Sequence, residues 1–371
     1  MRLLVALAAI AVVAGHLDPS GFAGPFGIVP PYSWQVAAFV FVSGYFYRPS
    51  AEDAPLRYIV RKFRRLIVPL LGINLVYGIT CQLLRTLGVM EVGEPLSASS
   101  LLVLPFTSGH QFVLNSAMWF LAPLFSAEVA NVLIRRVVRS FRDSTVKESL
   151  LFLMYLLLGS AAVIIGGPDG MQAGFALAVC RTAFFLSLLG MGRLYRAVLE
   201  PHDTLSSTLY FLIAVALQLL TMYVAGEQVV YNSAWCRFYH GPVLTYLTTA
   251  CSLAIMLRAC RILGPLLGAS KPVRLLHEGS FSVMSHHLAG CLMLTLAIGA
   301  SAAAFGFPAS FDFGALHGQG PWYFFMPGGL RPFALTYAAC GIGFSLAVHA
   351  CWLWVKYALH QLMRHRDEAR R

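Results

Sequence analysis

The sequence predicts an all-α integral membrane protein, a polytopic bundle of about ten transmembrane helices. Hydrophobic residues make up 58% of the 371-residue chain, charged residues only 12%, and the mean hydropathy is +0.70. Soluble domains average about half apolar and about a quarter charged residues. The apolar runs are continuous and close to the ~20 residues that cross a bilayer as a helix, whereas barrel strands alternate over roughly ten residues. These observations favour one polytopic helical domain.

Ten apolar runs are predicted to span the membrane, and the first two are the shortest. They cover residues 3–17, 33–47, 66–84, 117–134, 149–166, 171–190, 207–225, 241–257, 280–305 and 333–355. Because the runs occupy most of the chain, we divide it into a transmembrane domain over 1–358 and a basic cytoplasmic tail over 359–371.

The positions of lysine and arginine predict the orientation of the helices. With a cytoplasmic amino terminus, 23 of the 27 lysines and arginines fall in segments on the cytoplasmic side. Only Arg85, Arg237 and Arg331 fall on the outer side, and Arg181 lies within a span. Positive charge is enriched on the cytoplasmic side of membrane proteins, so we predict that both termini are cytoplasmic. The net charge of +11 then reflects topology and gives no support for a nucleic-acid partner.

The first apolar run has two interpretations. Arg2, a short apolar core and the small residues Ala14 and Gly15 are also typical of a secretory signal peptide. Cleavage there would leave nine spans and place His16 at a new amino terminus on the outer side. As a retained helix, the run carries His16 at membrane depth, where an ionisable group is costly and usually functional.

Five groups of residues follow one another in an order that resembles a known family. They are Val12-Val-Ala-Gly-His16, Phe39-Val-Phe-Val-Ser-Gly-Tyr45, Arg61-Lys-Phe-Arg-Arg-Leu-Ile-Val-Pro69, Met118-Trp-Phe-Leu121 and Ser280-Phe-Ser-Val-Met-Ser-His-His287. With their predicted sidedness, they resemble the membrane-bound acyltransferase-3 family, including its fucose 4-O-acetylase-like members. The resemblance implies transfer of an acyl group, most often acetyl, from cytoplasmic CoA to a hydroxyl of a carbohydrate, often at the cell surface.

The sequence departs from the family pattern at two positions. The family usually carries an arginine eleven residues before its histidine, a position held here by Val5, and the nearest arginine is Arg2. Eleven residues bring a helix back to within about 20° of the histidine, and fourteen to within about 40° on the other side. The family pattern Ser-x-x-x-Tyr-x-x-His also becomes Ser280-x-x-x-Met284-x-x-His287, which lacks the tyrosine hydroxyl.

Within this resemblance, His16 is the candidate catalytic residue. Sugar hydroxyls are poor nucleophiles at neutral pH, and a base that removes their proton contributes typically 10²–10⁴-fold to the rate. A covalent acyl-histidine relay is an alternative that the sequence does not separate from base catalysis. Position alone is also compatible with a histidine that is hydrogen-bonded inside a helix bundle.

The donor, acetyl-CoA or another acyl-CoA, is expected as a co-substrate and not as a permanently bound cofactor. Its phosphates must dock at the cytoplasmic face, where Arg61, Arg64 and Arg65 offer bidentate partners. Topology alone also explains these arginines. Arg181, within a span, and His287, near the cytoplasmic start of the ninth span, are further candidates for contact with the donor.

Three further residues are candidates for binding the substrate. Ser43 precedes Gly44, and this pair either leaves a gap for the acyl chain or lets two helices approach closely. Trp119 either stacks on a sugar or anchors its helix at the membrane interface. Glu128, the only carboxylate within a span, either belongs to the site or is the counter-ion of Arg181.

The outer loops mix aromatic and polar residues, as a carbohydrate-binding surface does. Residues 85–116 include His110 and Asn115, and residues 306–331 include Asp312, His317, Trp322 and Tyr323. Ordinary interfacial loops have the same composition, so these residues identify no substrate. The eight cysteines form no Cys-x-x-Cys or Cys/His spacing, and no metal site is predicted.

Together, these features predict a membrane O-acyltransferase that modifies a glycan, for example a lipid-linked one, or another cell-envelope acceptor. Its expected partners are acyl-CoA, the carbohydrate acceptor and the lipids of a membrane that we take to be a bacterial plasma membrane. One alternative is a polytopic transporter or flippase of lipid-linked glycans, which would also place charged residues within its bundle. Another is a catalytically inactive family member that acts as a scaffold, an alternative that Val5 and Met284 keep open.

Overall fold

Long helices make up most of the structure. The computed structural model describes residues 1–17, 27–89, 93–140, 145–309, 311–314 and 333–368. The α-helices are α1 (Arg2–Leu17), α2 (Pro31–Tyr45), α3 (Pro55–Lys62), α4 (Val68–Thr86), α5 (Ala98–Leu102), α6 (Leu104–Thr107), α7 (Leu121–Val137), α8 (Thr145–Gly166), α9 (Phe175–Leu194), α10 (Ser207–Ala225), α11 (Pro242–Leu267), α12 (Lys271–Glu278), α13 (Ser280–Phe305) and α14 (Ala334–Glu368). A two-stranded antiparallel sheet pairs β1 (Tyr231–Asn232) with β2 (Arg237–Phe238).

Short tighter or wider helical turns join several of these helices. A π-helical turn at Phe63–Ile67 joins α3 to α4, and another at Tyr195–Leu199 continues α9. The 3₁₀ segments are Pro49–Glu52, Val113–Phe120, Val138–Ser140, Glu200–His202 and Ser233–Trp235. The segment Val113–Phe120 leads directly into α7, so the two form one long helical rod with a kink at Asn115.

Each of the ten predicted spans falls on a helix. Among the described residues, eight helices are long and apolar enough to cross a membrane: Pro55–Thr86, Val113–Val137, Thr145–Gly166, Phe175–His202, Ser207–Ala225, Pro242–Leu267, Ser280–Phe305 and Ala334–Met363. The other two, α1 and α2, have 16 and 15 residues and are shorter than a typical span. The all-α polytopic fold is therefore confirmed, while the sidedness of the bundle stays a prediction. Helix α14 continues to Glu368, past the predicted start of the tail at 359.

The short helix α1 lies in the interior of the bundle. Leu4, Ala8 and Ala9 have no exposed surface, and most other residues of α1 are buried. A helix that is apolar on all sides is typical of a protein interior or of a membrane span, and α1 packs against α2, α12 and α13. Its alanines and valines are small enough to allow neighbours on every side.

Helices α2 and α9 cross at very short distance. A Cβ atom at Gly44 would overlap the carbonyl oxygen of Leu189, and one at Gly192 would overlap the carbonyl oxygen of Phe41. Small residues allow such close contact between helix backbones in membranes. The close-approach interpretation of Ser43-Gly44 is therefore confirmed. The alternative, a gap that admits the acyl chain, is wrong because the backbone of α9 fills that space.

The helix ends that carry most of the basic residues meet at one end of the bundle, which we call the basic end. There Glu148, at the start of α8, accepts hydrogen bonds from Arg135 of α7 at 2.7 and 3.0 Å and from Arg193 of α9 at 3.0 Å. Arg258 of α11 donates to both carboxylate oxygens of Asp203 at 2.6 Å. Paired, hydrogen-bonded charges of this kind can stay buried, and they fix the ends of α7, α8, α9 and α11 together.

The opposite end of the bundle is closed by the β1–β2 hairpin. The hairpin joins the end of α10 to the start of α11, and Tyr231 faces Phe238 across it. Two backbone hydrogen bonds fasten it to the loop between α8 and α9: Phe238 N–H donates to Gly167 O at 2.7 Å, and Met171 N–H donates to Trp235 O at 2.8 Å. The hairpin is thus a fixed part of the bundle.

Candidate active site

A cavity of about 290 Å³ lies at the end of the bundle opposite the basic end. The last turn of α1, the first two turns of α2, the 3₁₀ segment before α7 and the β1–β2 hairpin enclose it. Its lining includes Met284 of α13 and polar and aromatic side chains from four other parts of the chain: His16, Tyr32, Trp34, Gln35, His110, Ser116, Trp119, Tyr231, Asn232, Ser233 and Trp235. Binding sites for small molecules are commonly concave, aromatic-lined and supplied with a few polar groups.

His16 lies in the last turn of α1 and lines this cavity. Its imidazole meets that of His287 from α13, with the ring centroids 5.2 Å apart and the ring planes at 43°. His287 is fully buried and does not line the cavity, so it lies behind His16. The sequence predicted His287 nearer the cytoplasm and in contact with the donor. The structure makes the two histidines direct neighbours, and it does not test whether His287 contacts the donor.

The hydrogen bonding of His287 determines which of its nitrogens is available. Nδ1 lies 2.6 Å from the carbonyl oxygen of Val283, and a carbonyl only accepts, so Nδ1 carries the proton and donates. Nε2 is then an acceptor, and it is buried without a hydrogen-bond partner among the described residues. The neighbouring His286 belongs to a different contact, 2.8 Å from the hydroxyl of Tyr77. His287 therefore offers a buried lone pair in the immediate surroundings of His16.

Three rings form a stacked aromatic wall on the other side of the cavity. His110 stacks on Trp235, with centroids 4.7 Å apart and planes at 24°, and on Trp119 at 6.3 Å and 15°. The His110 Nδ1 donates to the carbonyl oxygen of Ser108 at 2.9 Å. Burial, followed by the positive charge of Arg181, lowers the pKa of His110 to about 3. His110 is therefore a neutral ring at physiological pH and acts as part of an aromatic surface.

Arg181 supports this wall from behind. Its guanidinium lies 5.0 Å from the ring centre of Trp119 and 5.7 Å from that of Trp235. It donates to the carbonyl oxygen of Ala234 through two nitrogens and to that of Ser108 at 3.0 Å. Only 1% of the residue is exposed, and it does not line the cavity. Arg181 thus fastens the hairpin and both tryptophans to α9.

The predicted ion pair between Glu128 and Arg181 is wrong. Glu128 instead accepts hydrogen bonds from Tyr58 and Lys62, at the junction of α3 and α4 with α7. It is completely buried and does not line the cavity, and Ser43 is likewise not among the cavity residues. The pair does not form because backbone carbonyls satisfy the arginine, while a lysine from the basic end satisfies the carboxylate.

A second concave surface, the basic groove, lies on α3 and the adjoining π-helical turn. Its lining includes Arg57, Arg61 and Arg64. Arg65 is exposed nearby but is not part of the groove lining. The rod formed by the 3₁₀ segment and α7 connects the two sites, because Trp119 in the 3₁₀ segment lines the cavity and Glu128 of α7, nine residues later, binds Lys62 beside the groove. Nine helical residues span about 14 Å.

The two departures from the family pattern fall at different places. Met284 lines the cavity, so the missing tyrosine hydroxyl would have belonged to this site. Arg2 lies at the other end of α1, near His277 of α12, whose pKa is lowered by burial and by the charge of Arg2. Fourteen helical residues separate Arg2 from His16 by about 21 Å. Arg2 therefore does not reach the cavity, and Val5 is buried within α1.

Sequence reasoning missed several cavity residues and found others only in part. Gln35 is a polar residue within an apolar run, a signal that could have identified it. Trp235 carried no such signal. His110 was predicted through its loop, but Asn115 of the same loop is buried and donates to Asn74 Oδ1 at 2.6 Å. Of the other predicted outer-loop residues, Asp312 does not line the cavity, and three lie outside the described residues: His317, Trp322 and Tyr323.

Comparison with known proteins identifies the family. A family model described as an acyltransferase domain matches residues 2–283, about three quarters of the chain. The match includes His16, the basic groove, the aromatic wall and Arg181, and it ends four residues before His287. No curated protein matches the chain, and no solved structure matches it either. The family match covers well over half of the sequence, and the chain belongs to the acyltransferase-3 family.

Proposed function

We propose that this membrane acyltransferase transfers an acetyl group from acetyl-CoA to a hydroxyl of a glycan or another cell-envelope acceptor. The observation that carries the proposal is the position of His16 in a cavity with an aromatic wall, which the rod that contains α7 connects to a groove lined by three arginines. The cell membrane is taken to be a bacterial plasma membrane, with the basic end towards the cytoplasm.

His16 is proposed as the general base. Its imidazole takes the proton of the acceptor hydroxyl while the oxygen attacks the thioester carbonyl carbon. The new C–O bond forms, the C–S bond breaks, and the departing CoA thiolate takes the proton back from the imidazolium. A base of this kind contributes typically 10²–10⁴-fold. His287 lies behind His16 and is proposed as a positioning residue and not as a donor ligand.

The basic groove is proposed to hold the phosphates of CoA. Arg61 and Arg64 are exposed and line one surface with Arg57, so their guanidinium groups can bind the same cluster of phosphate oxygens. The thioester, at the end of the long flexible arm of CoA, then extends into the bundle towards His16. Arg65 lies beside this surface and contributes its charge.

The aromatic wall is proposed to receive the acceptor. Trp119 and Trp235 present flat apolar surfaces of the kind on which a sugar ring can lie, with His110 between them. Arg181 and Glu128 act indirectly, the arginine by holding the wall and the carboxylate by holding Lys62 near the groove. Ser43 is assigned to helix packing.

The proposal is tested by incubating purified protein with radiolabelled acetyl-CoA and a cell-envelope extract. We expect wild-type protein to label the extract and release CoA, and His16→Ala to lose at least 100-fold of the labelling. His202→Ala is the matched control, because His202 is exposed and lies outside the cavity. Equal labelling by wild type and His16→Ala would exclude the catalytic role. No CoA release by wild type would instead favour the transporter or scaffold.

A further inference from the structure

The side-chain amide of Gln35 faces the cavity with an unsatisfied oxygen. Gln35 lies in the second turn of α2, is only 5% exposed and lines the cavity. Its Oε1 is buried and has no hydrogen-bond partner among the described residues. A buried acceptor without a partner costs folding free energy, and such groups call for an explanation, of which ligand binding is one.

The amide lies directly beside the helix that carries His16. A Cβ atom placed on Gly15 would be 3.0 Å from Gln35 Oε1, 3.2 Å from its Nε2 and 3.2 Å from the ring of Tyr32. The absence of a side chain at Gly15 is therefore what allows the amide to reach α1. Gly15 and His16 are consecutive, and their Cα atoms are about 3.8 Å apart. His16 and Gln35 both line the cavity, so α1 and α2 each supply it with a hydrogen-bonding group.

We propose that Gln35 is a specificity-determining residue whose Oε1 accepts a hydrogen bond from a second hydroxyl of the acceptor, next to the hydroxyl that His16 deprotonates. The acceptor is then a ring with two neighbouring hydroxyls, such as a pyranose. The proposal rests on the proposed function, and it deepens it by naming the feature of the acceptor that the site recognises.

The dimensions and walls of the cavity fit such a ring. A volume of about 290 Å³ is at the lower end of the range for ligand pockets, roughly 300–1,000 Å³, and matches one ring better than a chain of several. Trp119 and Trp235 can cover a face of the ring while Gln35 and His16 engage its edge. The hydroxyl held by Gln35 only donates a hydrogen bond, so the single proton transferred in the reaction moves through His16.

A second buried glutamine provides a matched control. Gln218 of α10 is fully buried, and its Oε1 also lacks a hydrogen-bond partner in the described part of the chain. Its Nε2 donates to Thr248 Oγ1 at 3.0 Å, and it does not line the cavity. Gln35→Met and Gln218→Met therefore make the same chemical change inside and outside the proposed site.

The test compares two simple acceptors, trans-cyclohexane-1,2-diol and cyclohexanol, with acetyl-CoA as donor and the full-length protein in detergent. We expect wild type to prefer the diol by about three- to tenfold in kcat/KM per hydroxyl, the contribution of one hydrogen bond. Gln35→Met should remove this preference, so that the diol and cyclohexanol have the same kcat/KM per hydroxyl, whereas Gln218→Met should keep it. The thermal midpoint of Gln35→Met should equal or exceed that of wild type, because an unsatisfied acceptor is removed.

The outcomes separate this proposal from the proposed function. If labelling of the envelope extract does not depend on His16, the proposed function fails. If labelling does depend on His16 but wild type shows no preference for the diol, only the role of Gln35 fails. Retention of the preference in Gln35→Met would also overturn that role, and so would a lowered thermal midpoint, which would indicate that the amide is structural.

Discussion

The imidazole rings of His16 and His287 are 5.2 Å apart, although they come from the first and the thirteenth helices. His287 donates through Nδ1 to the carbonyl of Val283, and its buried Nε2 has no partner among the described residues. A neutral imidazole fixed in this tautomer can accept a hydrogen bond but not donate one to His16. It therefore favours the protonated form of His16 that arises during transfer.

Replacing His287 should slow the reaction without unfolding the protein. We expect His287→Phe, which keeps a ring in the same space, to lower kcat about 10- to 100-fold, the range for a hydrogen bond to a charged group. KM for acetyl-CoA should change little. The double variant His16→Ala/His287→Phe should be no slower than His16→Ala, because groups that act on one step are not additive. Additive losses would contradict a shared role.

The basic groove predicts unequal roles for neighbouring arginines. We expect Arg61→Ala/Arg64→Ala to raise the Kd for CoA about tenfold, because both side chains face the same groove and bind charged phosphates. Arg65→Ala should have a smaller effect. The control is Arg139→Ala, an exposed arginine that pairs with Asp53. Calorimetric titration at low and high salt measures each Kd for CoA. Equal Kd values for wild type and the three variants would indicate that these arginines reflect only the excess of positive charge on the cytoplasmic side.

The membrane-spanning helices could be predicted from the sequence, but which helices pack against one another could not. Long apolar runs identify helices such as α8 and α13, because only a helix satisfies its own backbone in lipid. Which helices touch depends on the shape of their surfaces. Nothing in the sequence near His16 indicated that α13 would bring His287 to it. The predicted order along the membrane, with His287 nearer the cytoplasm, assumed that α1 spans the full thickness, whereas α1 is a short interior helix.

The scarcity of charged residues within the spans also led to the incorrect prediction that Glu128 pairs with Arg181. A buried arginine needs acceptors, and the sequence offered one intramembrane carboxylate. In the fold, two loops bring the carbonyls of Ala234 and Ser108 to the guanidinium. A sequence does not show which backbone carbonyl accepts a hydrogen bond from a given side chain, because every residue has a carbonyl. The acceptor of a buried arginine therefore cannot be read from residue types alone.

Arg181 should be sensitive even to a conservative change. Lysine keeps the charge, but its single ammonium group cannot copy the planar fork that reaches the carbonyls of Ala234 and Ser108. Leaving one buried carbonyl unsatisfied costs about 1–3 kcal/mol. We expect Arg181→Lys to lower the thermal midpoint. It should also lower kcat/KM for the acceptor more than it weakens CoA binding, since the guanidinium no longer packs against Trp119 and Trp235. Tryptophan fluorescence measures the change in the aromatic wall. An unaltered emission spectrum together with an unaltered thermal midpoint would contradict this prediction.

The crossing of α2 and α9 should tolerate no side chain. Gly44→Ala and Gly192→Ala place a Cβ atom onto a backbone carbonyl of the other helix, and a backbone cannot give way as a side chain can. We expect both variants to lose at least about 2 kcal/mol of stability, in the range of severe overpacking. Gly72→Ala in α4 is the control, because nothing beyond the adjacent backbone of its own helix lies within 4 Å of the new Cβ. It should be neutral or stabilising by about 0.5–1 kcal/mol.

His110 should make the fold sensitive to acid. Its pKa is about 3 in the folded protein, whereas an unfolded histidine titrates near 6.5. Between these values the unfolded state binds a proton that the folded state does not, so stability falls as the pH decreases from 6.5 towards 3. At pH 5.5 the contribution of this one group is about 1 kcal/mol.

The variant His110→Phe keeps a flat ring against Trp235 and cannot titrate. We therefore expect the thermal midpoint of the variant to fall less than that of wild type between pH 7.5 and 5.5, whatever the two values are at pH 7.5. Parallel curves for the two proteins would show that His110 already binds a proton in the folded state, which would contradict its place as a neutral ring beside Arg181.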